Sequence, residues 1–594
     1  MMNFYEVNNF MLSLLKYLKG YTKQCILGPL FKMLEACFEL TVPIIMAKII
    51  DVGIANGDSG YILRMCGLLV LMGVFGLISA VTAQYFAASA AYGFGTAVRR
   101  DMFKKINSLS MNRLDSIGAA SLITRMTGDI NRAESGVNQF LRLFLRSPFI
   151  VIGAVIAAFT VDTRCAMIFL VAVPALALII FIIMKVSVPF YNRSQKSLDR
   201  VSKITRENLS GVRVIRAFSR QKKEVEDFSD ANAELFGINM KVGGISALLN
   251  PLTYIVVNLA IVAVIQQGGY RVWNGEMLQG EVVALVNYLT QILIALIVLA
   301  QLIVTLTKAV ASATRIAAVM ELEPDMSEGS AESGDKNAPA LEFDNVAFRY
   351  GDSAEAALED VNFKLERGQS IGIIGGTGSG KSTLVNLIPR FYDATVGEVK
   401  IFGKNVRDYK YSALHKMIGY VPQKASLISG TIGTNMRWRD KNASDAEIER
   451  ALKIAQAYDF VFEKDGLDTK VSQGGRNFSG GQCQRLTVAR ALVKNPDILI
   501  LDDSSSALDL LTEARLKAAI AENDKNMTRV IVSQRISTIR DADIILVLDD
   551  GKPVGIGKHS ELAHNCEVYR EICMTQIPEE FEDENTEGVS GNER

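Results

Sequence analysis

Hydrophobic positions along this chain fall into two regimes. Up to residue 321 they gather in long uncharged blocks, whereas from Leu341 onward short β-rich runs alternate with helical patterns. The blocks lie at about 65–98, 147–161, 165–184, 242–270 and 282–307, and each is weighed against the ~20 residues a helix needs to cross a bilayer. The run CAMIFLVAVPALALIIFIIM holds no charge at all, while 147–161 is short and reaches spanning length only with residues 140–145. A sixth block, near 26–50, is interrupted by Lys32, Glu35 and Glu39. The pattern predicts a helical membrane domain of six spans over 1–321, a linker over 322–340 and an α/β domain over 341–577. The linker EPDMSEGSAESGDKNAPA is polar and Gly/Ser-rich and is expected to be flexible; the acidic tail over 578–594 is expected to be disordered.

Basic residues set the expected orientation. Arg99, Arg100, Lys104, Lys105, Arg113, Arg125 and Arg132 fall between spans two and three, and ten more lie between 193 and 223. The alternate connections near 52–61, 161–164 and 270–281 hold almost none. Both basic stretches, both termini and the α/β domain are therefore expected in the cytoplasm of a cell whose plasma membrane the chain crosses. The basic stretches also read as helical continuations, so the spans are expected to run well beyond the lipid. Glu35 and Glu39 share one helix face, and are expected near the cytoplasmic interface, facing other helices or water, with a place along a transport path as the competing reading.

Composition adds less. At 594 residues two or more domains are expected, and 49% apolar residues is high for a soluble protein. Lys plus Arg equals Asp plus Glu at 64 each, so charge gives no sign of a nucleic-acid partner. The seven Cys are scattered without a C-x-x-C pair, as expected of small apolar residues in a reducing compartment. The opening MMNFYEVNNF has no basic segment or apolar core of a removable signal.

The chemistry lies in the second regime. IGIIGGTGSGKST, 371–383, is a strand, a Gly-rich loop and a helix start matching G-x-x-x-x-G-K-[ST] from Gly375 through Gly376, Thr377, Gly378, Ser379 and Gly380 to Lys381, Ser382 and the following Thr383. Such glycines let backbone N–H groups turn toward phosphates, with Lys381 reaching the β and γ groups of ATP and Ser382 ligating Mg2+. In ILILDDSSSALD an apolar strand runs into Asp502 and Asp503; Asp502 is the expected magnesium partner. Between them, Ser479, Gly480, Gly481 and Gln482 of NFSGGQCQR make a small-residue turn at a predicted helix start, another anion site.

FSGGQ between that phosphate loop and ILILDD resembles the ATP-binding cassette, or ABC, transporter family, and six spans followed by one cassette resemble an exporter half-transporter. The resemblance implies further roles. Tyr350 is similar to the aromatic that stacks on adenine, Gln423 to the glutamine that touches magnesium and the attacking water, and Asp509 to the acid of the adjoining loop. LDSIGAASLITRMTGD and ENLSGVRVIRAFSRQ resemble the cytoplasmic coupling regions. Two positions depart from the family pattern. Asp503 stands where Glu follows the magnesium Asp, and Gln534 stands where a switch His is found. Shortening Glu to Asp withdraws the carboxylate by roughly an ångström, which can cost on the order of a hundredfold in rate. Gln can hydrogen-bond a γ-phosphate but cannot titrate near neutral pH as His does. The expectation is the degenerate-site half of a heterodimeric exporter, its partner a second half-transporter supplying Glu and His, its cargo an amphipathic drug, lipid or peptide. A slow homodimer and an ATP-gated or regulatory membrane protein are the competing readings.

Overall fold

The computed structural model describes residues 14, 16–351 and 355–578. It divides into two compact units, one over 1–107 and 119–322, the other over 108–118 and 323–594. Residues 579–594, nearly all of the acidic tail, and the opening stretch 1–13 lie outside the described residues.

In the first unit the apolar blocks are carried on very long helices. Ser59–Ser108, Ala119–Val161, Thr163–Ala217, Gln221–Trp273 and Gln279–Met320 are each long and apolar enough to cross a membrane. At ~1.5 Å per residue, the 55 residues of Thr163–Ala217 far exceed a ~30 Å hydrocarbon core. The basic residues between 193 and 223 accordingly sit on its extension and on the start of the next helix, as expected. The sixth block forms Thr22–Lys48, a helix of 27 residues. Its acids are neutralised locally: Lys32 donates to Glu35 at 2.8 and 2.6 Å, and Arg146 donates to Glu39 at 2.6 Å. Pairing removes much of the penalty that lone carboxylates bear among apolar helices. Small residues let helices close: Ala83, Ala87, Ala90 and Ala91 are buried along one face of Ser59–Ser108, and a Cβ at Gly28 would meet the Ala87 backbone at 3.4 Å.

Among its described residues the second unit holds two larger sheets and one antiparallel pair of two-residue strands. Strands β1 (Leu341–Phe348), β2 (Leu358–Leu365), β3 (Ser370–Gly375), β4 (Val396–Ile401), β5 (Lys404–Asn405) and β6 (Ile418–Val421) come first. They are followed by β7 (Gly430–Thr431), β8 (Lys470–Val471), β9 (Ile498–Asp502), β10 (Thr528–Val532), β11 (Ile544–Asp549) and β12 (Lys552–Gly557). An antiparallel sheet runs β2-β1-β4-β5, and the main sheet runs β12-β11-β3-β10-β9-β6, parallel except for β12. Every residue of β3 and β9 is buried, so both read as continuous apolar runs instead of alternating.

The stretch expected to be a flexible linker is largely tethered. Gly329 and Ala331 donate backbone bonds to Tyr409 and Asp408 at 3.2 and 2.8 Å, Lys410 returns one to Ala331 at 2.9 Å, and Asp335 donates to Phe402 at 3.0 Å. Its glycines serve close approach as well as freedom: a Cβ at Gly334 would collide with Tyr409 and Phe402. Polar, aperiodic composition concealed this because backbone pairing needs no apolar side chains.

The same unit includes the short helix Met111–Ile117, capped by Ser110 and stopped at Gly118, where φ is +80°. From Leu114 onward it overlaps the first sequence region expected to couple. Tyr392 donates its hydroxyl to Asp115 at 2.7 Å.

Candidate nucleotide site

Parallel register assembles the site. Val532 lies opposite both Ile373 and Asp502, and Val421 opposite Leu501, so β3, β10, β9 and β6 end together on one edge of the sheet. The phosphate loop leaves β3, Asp502 ends β9, and Asp503 follows it. Gln534 comes just after β10 and Gln423 just after β6. Ligands of open α/β sheets bind at such carboxyl ends.

The loop 375–383 is shaped by contacts a side chain would break. A Cβ at Gly380, where φ is +93°, would meet the Ala357 carbonyl oxygen at 2.7 Å. Gly376, Thr377 and Gly378 are exposed at its crest, and Ser379 is buried. Lys381 is only 9% exposed, and its Nζ donates to the Gly375 and Gly376 carbonyls at 2.9 and 2.5 Å and to Ser379 Oγ at 3.4 Å. Burial pushes its pKa below the ordinary value, opposed by the charges of Asp503 and Asp502. An anion reaching the loop mouth would compete with those carbonyls for the ammonium.

Ser382 donates to Asp502 Oδ1 at 3.2 Å. Asp502 is 4% exposed, and burial raises its pKa; Asp503 adds to this, while the Ser382 bond and Lys381 oppose it. A buried carboxylate held unfavourably charged beside a hydroxyl is the donor set a hard divalent cation prefers. The residues therefore fit magnesium, with Ser382 and Asp502 as its holders and Gln423 nearby.

Gln423 Nε2 donates to Asp503 Oδ2 at 3.3 Å. Asp503 takes a left-handed backbone, φ +45°, while its N–H donates to Val532 at 3.0 Å. Asp tolerates that conformation better than Glu does. Tyr350 follows β1, is 40% exposed, and is held edge-on by Phe348 and Tyr392, its hydroxyl 3.1 Å from Thr383 Oγ1. A braced, half-open ring beside the phosphate-loop helix is a suitable stacking platform.

The remaining expected residues sit apart from this cluster. Ser479 and Gln482 form a reciprocal capping box at the start of Gly480–Leu492, Gln482 N–H donating to Ser479 Oγ at 3.3 Å and Ser479 N–H to Gln482 Oε1 at 3.0 Å. The Ser479 hydroxyl proton stays available as a donor. Gly481 lies against the Ala507 carbonyl, where a Cβ would come to 3.1 Å, so bulk there is disfavoured. Asp509 caps Leu510–Asn523 by accepting from Thr512 N–H at 2.9 Å, and that bond lowers its pKa. Among the described residues, no hydrogen bond joins 479–482 or Asp509 to the 375–383 loop.

A helical membrane unit followed by a cassette whose strand ends gather a phosphate loop, a buried metal acid and an adjoining carboxylate defines an ATP-driven membrane transporter. Residues 25–296 match the ABC transporter transmembrane region and 358–506 match the ABC transporter model. The chain is 36% identical over 571 residues to an uncharacterized ABC transporter ATP-binding protein, YfiB, of Bacillus subtilis (strain 168), covering 95% of this chain and 98% of that one. It is 28% identical over 563 residues to the ATP-dependent lipid A-core flippase of Yersinia pestis (biovar Antiqua), covering 94% and 96%. A bacterial Atm1-family ABC exporter with ATP bound superposes with a TM-score of 0.78 at 24% identity, over 94% of this chain and 98% of that chain. The chain belongs to the ABC transporter family, and it is an ATPase whose hydrolysis is coupled to transport.

Proposed function

We propose that this chain is the degenerate-site half of a heterodimeric exporter, its own ATP turned over slowly while a partner half-transporter performs the productive cleavage. The observation that carries this reading is Asp503 beside Gln423. The acid stands at the station of the water-activating carboxylate, but on a side chain one methylene short. Gln534 in place of a titratable His weakens the same step, since phosphoryl transfer depends mainly on positioning and electrostatic stabilisation. Binding groups are intact: Tyr350 for adenine, the 375–383 loop for phosphates, Ser382 and Asp502 for the metal. Magnesium, when bound, neutralises charge on the β and γ phosphates.

In the dimer, Ser479, Gly480, Gly481, Gln482 and Asp509 would complete the partner's ATP site, which suits their separation from this chain's phosphate loop. Residues 1–321 would form the transport path in the plasma membrane and 341–577 the cytoplasmic engine, an orientation supported by the basic stretches. The apolar spans and the flippase relative favour an amphipathic or lipid cargo. A slow homodimer is the second reading, supported by the Gln423–Asp503 hydrogen bond, which keeps a carboxylate near the water position.

The test is purification from native membranes with the subunits identified, followed by ATPase assays on each site. Recovery of two identical copies with brisk turnover that Asp503→Asn abolishes would end the heterodimer reading.

A further inference from the structure

Between β10 and the helix Ile536–Ile539 the chain makes the turn that carries Gln534, and this turn is gripped from two sides. On one side Glu513 accepts from Arg535 at 3.0 Å and from Thr538 Oγ1 at 2.5 Å. On the other stands Gln576, the last residue of the helix Glu567–Gln576. Its Nε2 donates to the Gln534 carbonyl at 2.7 Å, and its Oε1 accepts from the Ile536 N–H at 2.9 Å. A carbonyl at one residue and an N–H two residues on are what a neighbouring strand would bind, so the side-chain amide supplies one rung of ladder where the sheet has ended. A side-chain amide offers that donor and acceptor on separate atoms of one uncharged planar group, as a peptide unit does.

The supporting helix has its own anchorage. Tyr569 and Cys573 are fully buried in a cluster with Ile536, Ile539, Ile545 and Val547. Docking of the helix is thus achieved by apolar packing, and the exposed amide at its end is left to act on the turn.

We infer that Gln576 is a positioning residue: it holds the backbone of Gln534 so that the Gln534 side chain is aimed at the γ-phosphate of ATP. The inference rests on the reading of Gln534 as the switch group, and the two can fail separately.

The experiment uses the full chain with its native partner in lipid nanodiscs, and measures ATP and ADP affinities at this chain's own site together with Tm. Gln534→Ala should lower the preference for ATP over ADP, because only ATP carries the γ-phosphate. Gln576→Ala should lower it roughly two- to tenfold, the range of one hydrogen bond's worth of positioning, with ADP affinity and Tm held. Gln576→Glu, which keeps the acceptor and loses the donor to Gln534, should behave likewise. In a Gln534→Ala background, Gln576→Ala should add nothing. If Gln534→Ala leaves the preference unchanged, the switch reading falls and this inference with it. If Gln534→Ala lowers the preference but Gln576→Ala does not, or if Gln576→Ala acts fully in the Gln534→Ala background, the inference alone falls. A matched loss of ATP and ADP affinity with a lower Tm would also overturn it.

Discussion

The side-chain amide of Gln423 donates to the carboxylate of Asp503 at 3.3 Å across a sequence separation of 80 residues. The pairing follows from the sheet: β6 and β9 are parallel neighbours, with Tyr420 opposite Ile500 and Val421 opposite Leu501, so the residues just past their ends emerge side by side. On the degenerate-site reading, what the pair lacks is reach. Asp503→Glu is expected to raise turnover at this chain's own site by roughly tenfold or more, given that a misplacement of about an ångström can cost a hundredfold. The left-handed backbone at Asp503 should make the longer side chain slightly destabilising. ATPase rates with the opposite site inactivated check the first effect, and Tm checks the second.

Lys381 should govern nucleotide affinity through its charge. Lys381→Ala is expected to weaken ATP binding by at least roughly tenfold, since charge-assisted bonds to phosphate are about twice as strong as neutral ones. Burial lowers the Lys381 pKa from 10.5, so its ammonium is lost at a lower pH than that of an ordinary lysine. ATP affinity measured on an alkaline titration should fall accordingly before pH 10.5 is reached.

Asp502 places metal binding and stability in opposition. Its folded pKa lies above the ordinary 3.8, so the folded chain binds more protons than the unfolded chain between those two values. Stability therefore falls as pH rises from 3.8 through the folded value. Asp502→Asn, which removes the buried charge, should raise Tm of the metal-free chain. The same change should abolish the tightening of ATP binding by magnesium, which calorimetric titration with and without the ion would measure.

Tyr392 makes two contacts, touching Tyr350 edge-on at 5.3 Å between ring centroids and donating to Asp115 on the helix Met111–Ile117. Burial and the neighbouring Asp115 keep its pKa far above neutrality, so the hydroxyl remains a donor at any physiological pH. Tyr392→Phe keeps the ring and removes only the hydroxyl. ATP binding should be unchanged, while the stimulation of ATPase by transported cargo should drop severalfold, a change read by comparing basal and stimulated rates.

The architecture and the phosphate loop were readable from residue order because each needs a dense local signal. A transmembrane helix needs some twenty apolar residues in a row, and the loop needs glycines followed by Lys381 and Ser382. The acids at 502–503 were likewise announced by an apolar strand. Other features depend on partners distant in sequence. Gln576 looks like any polar residue at a helix end until Gln534 and Ile536 are placed beside it. Tyr392 resembles an ordinary core aromatic until Asp115 meets it. Asp509 is a helix cap that residue order alone announces, since an acid before Leu510–Asn523 is a common start signal. Glu39 carries no hint of Arg146, 107 residues away.

The backbone bridge between Ala331 and Tyr409 has a practical corollary for dissecting this transporter. The backbone groups of Phe402, Asp408, Tyr409 and Lys410 that bond to 329–335 would, without that segment, turn to water or to other chains. A cassette fragment cut at residue 341 would lose that cover and tend to clump, whereas one begun at 323 would carry its own selvage.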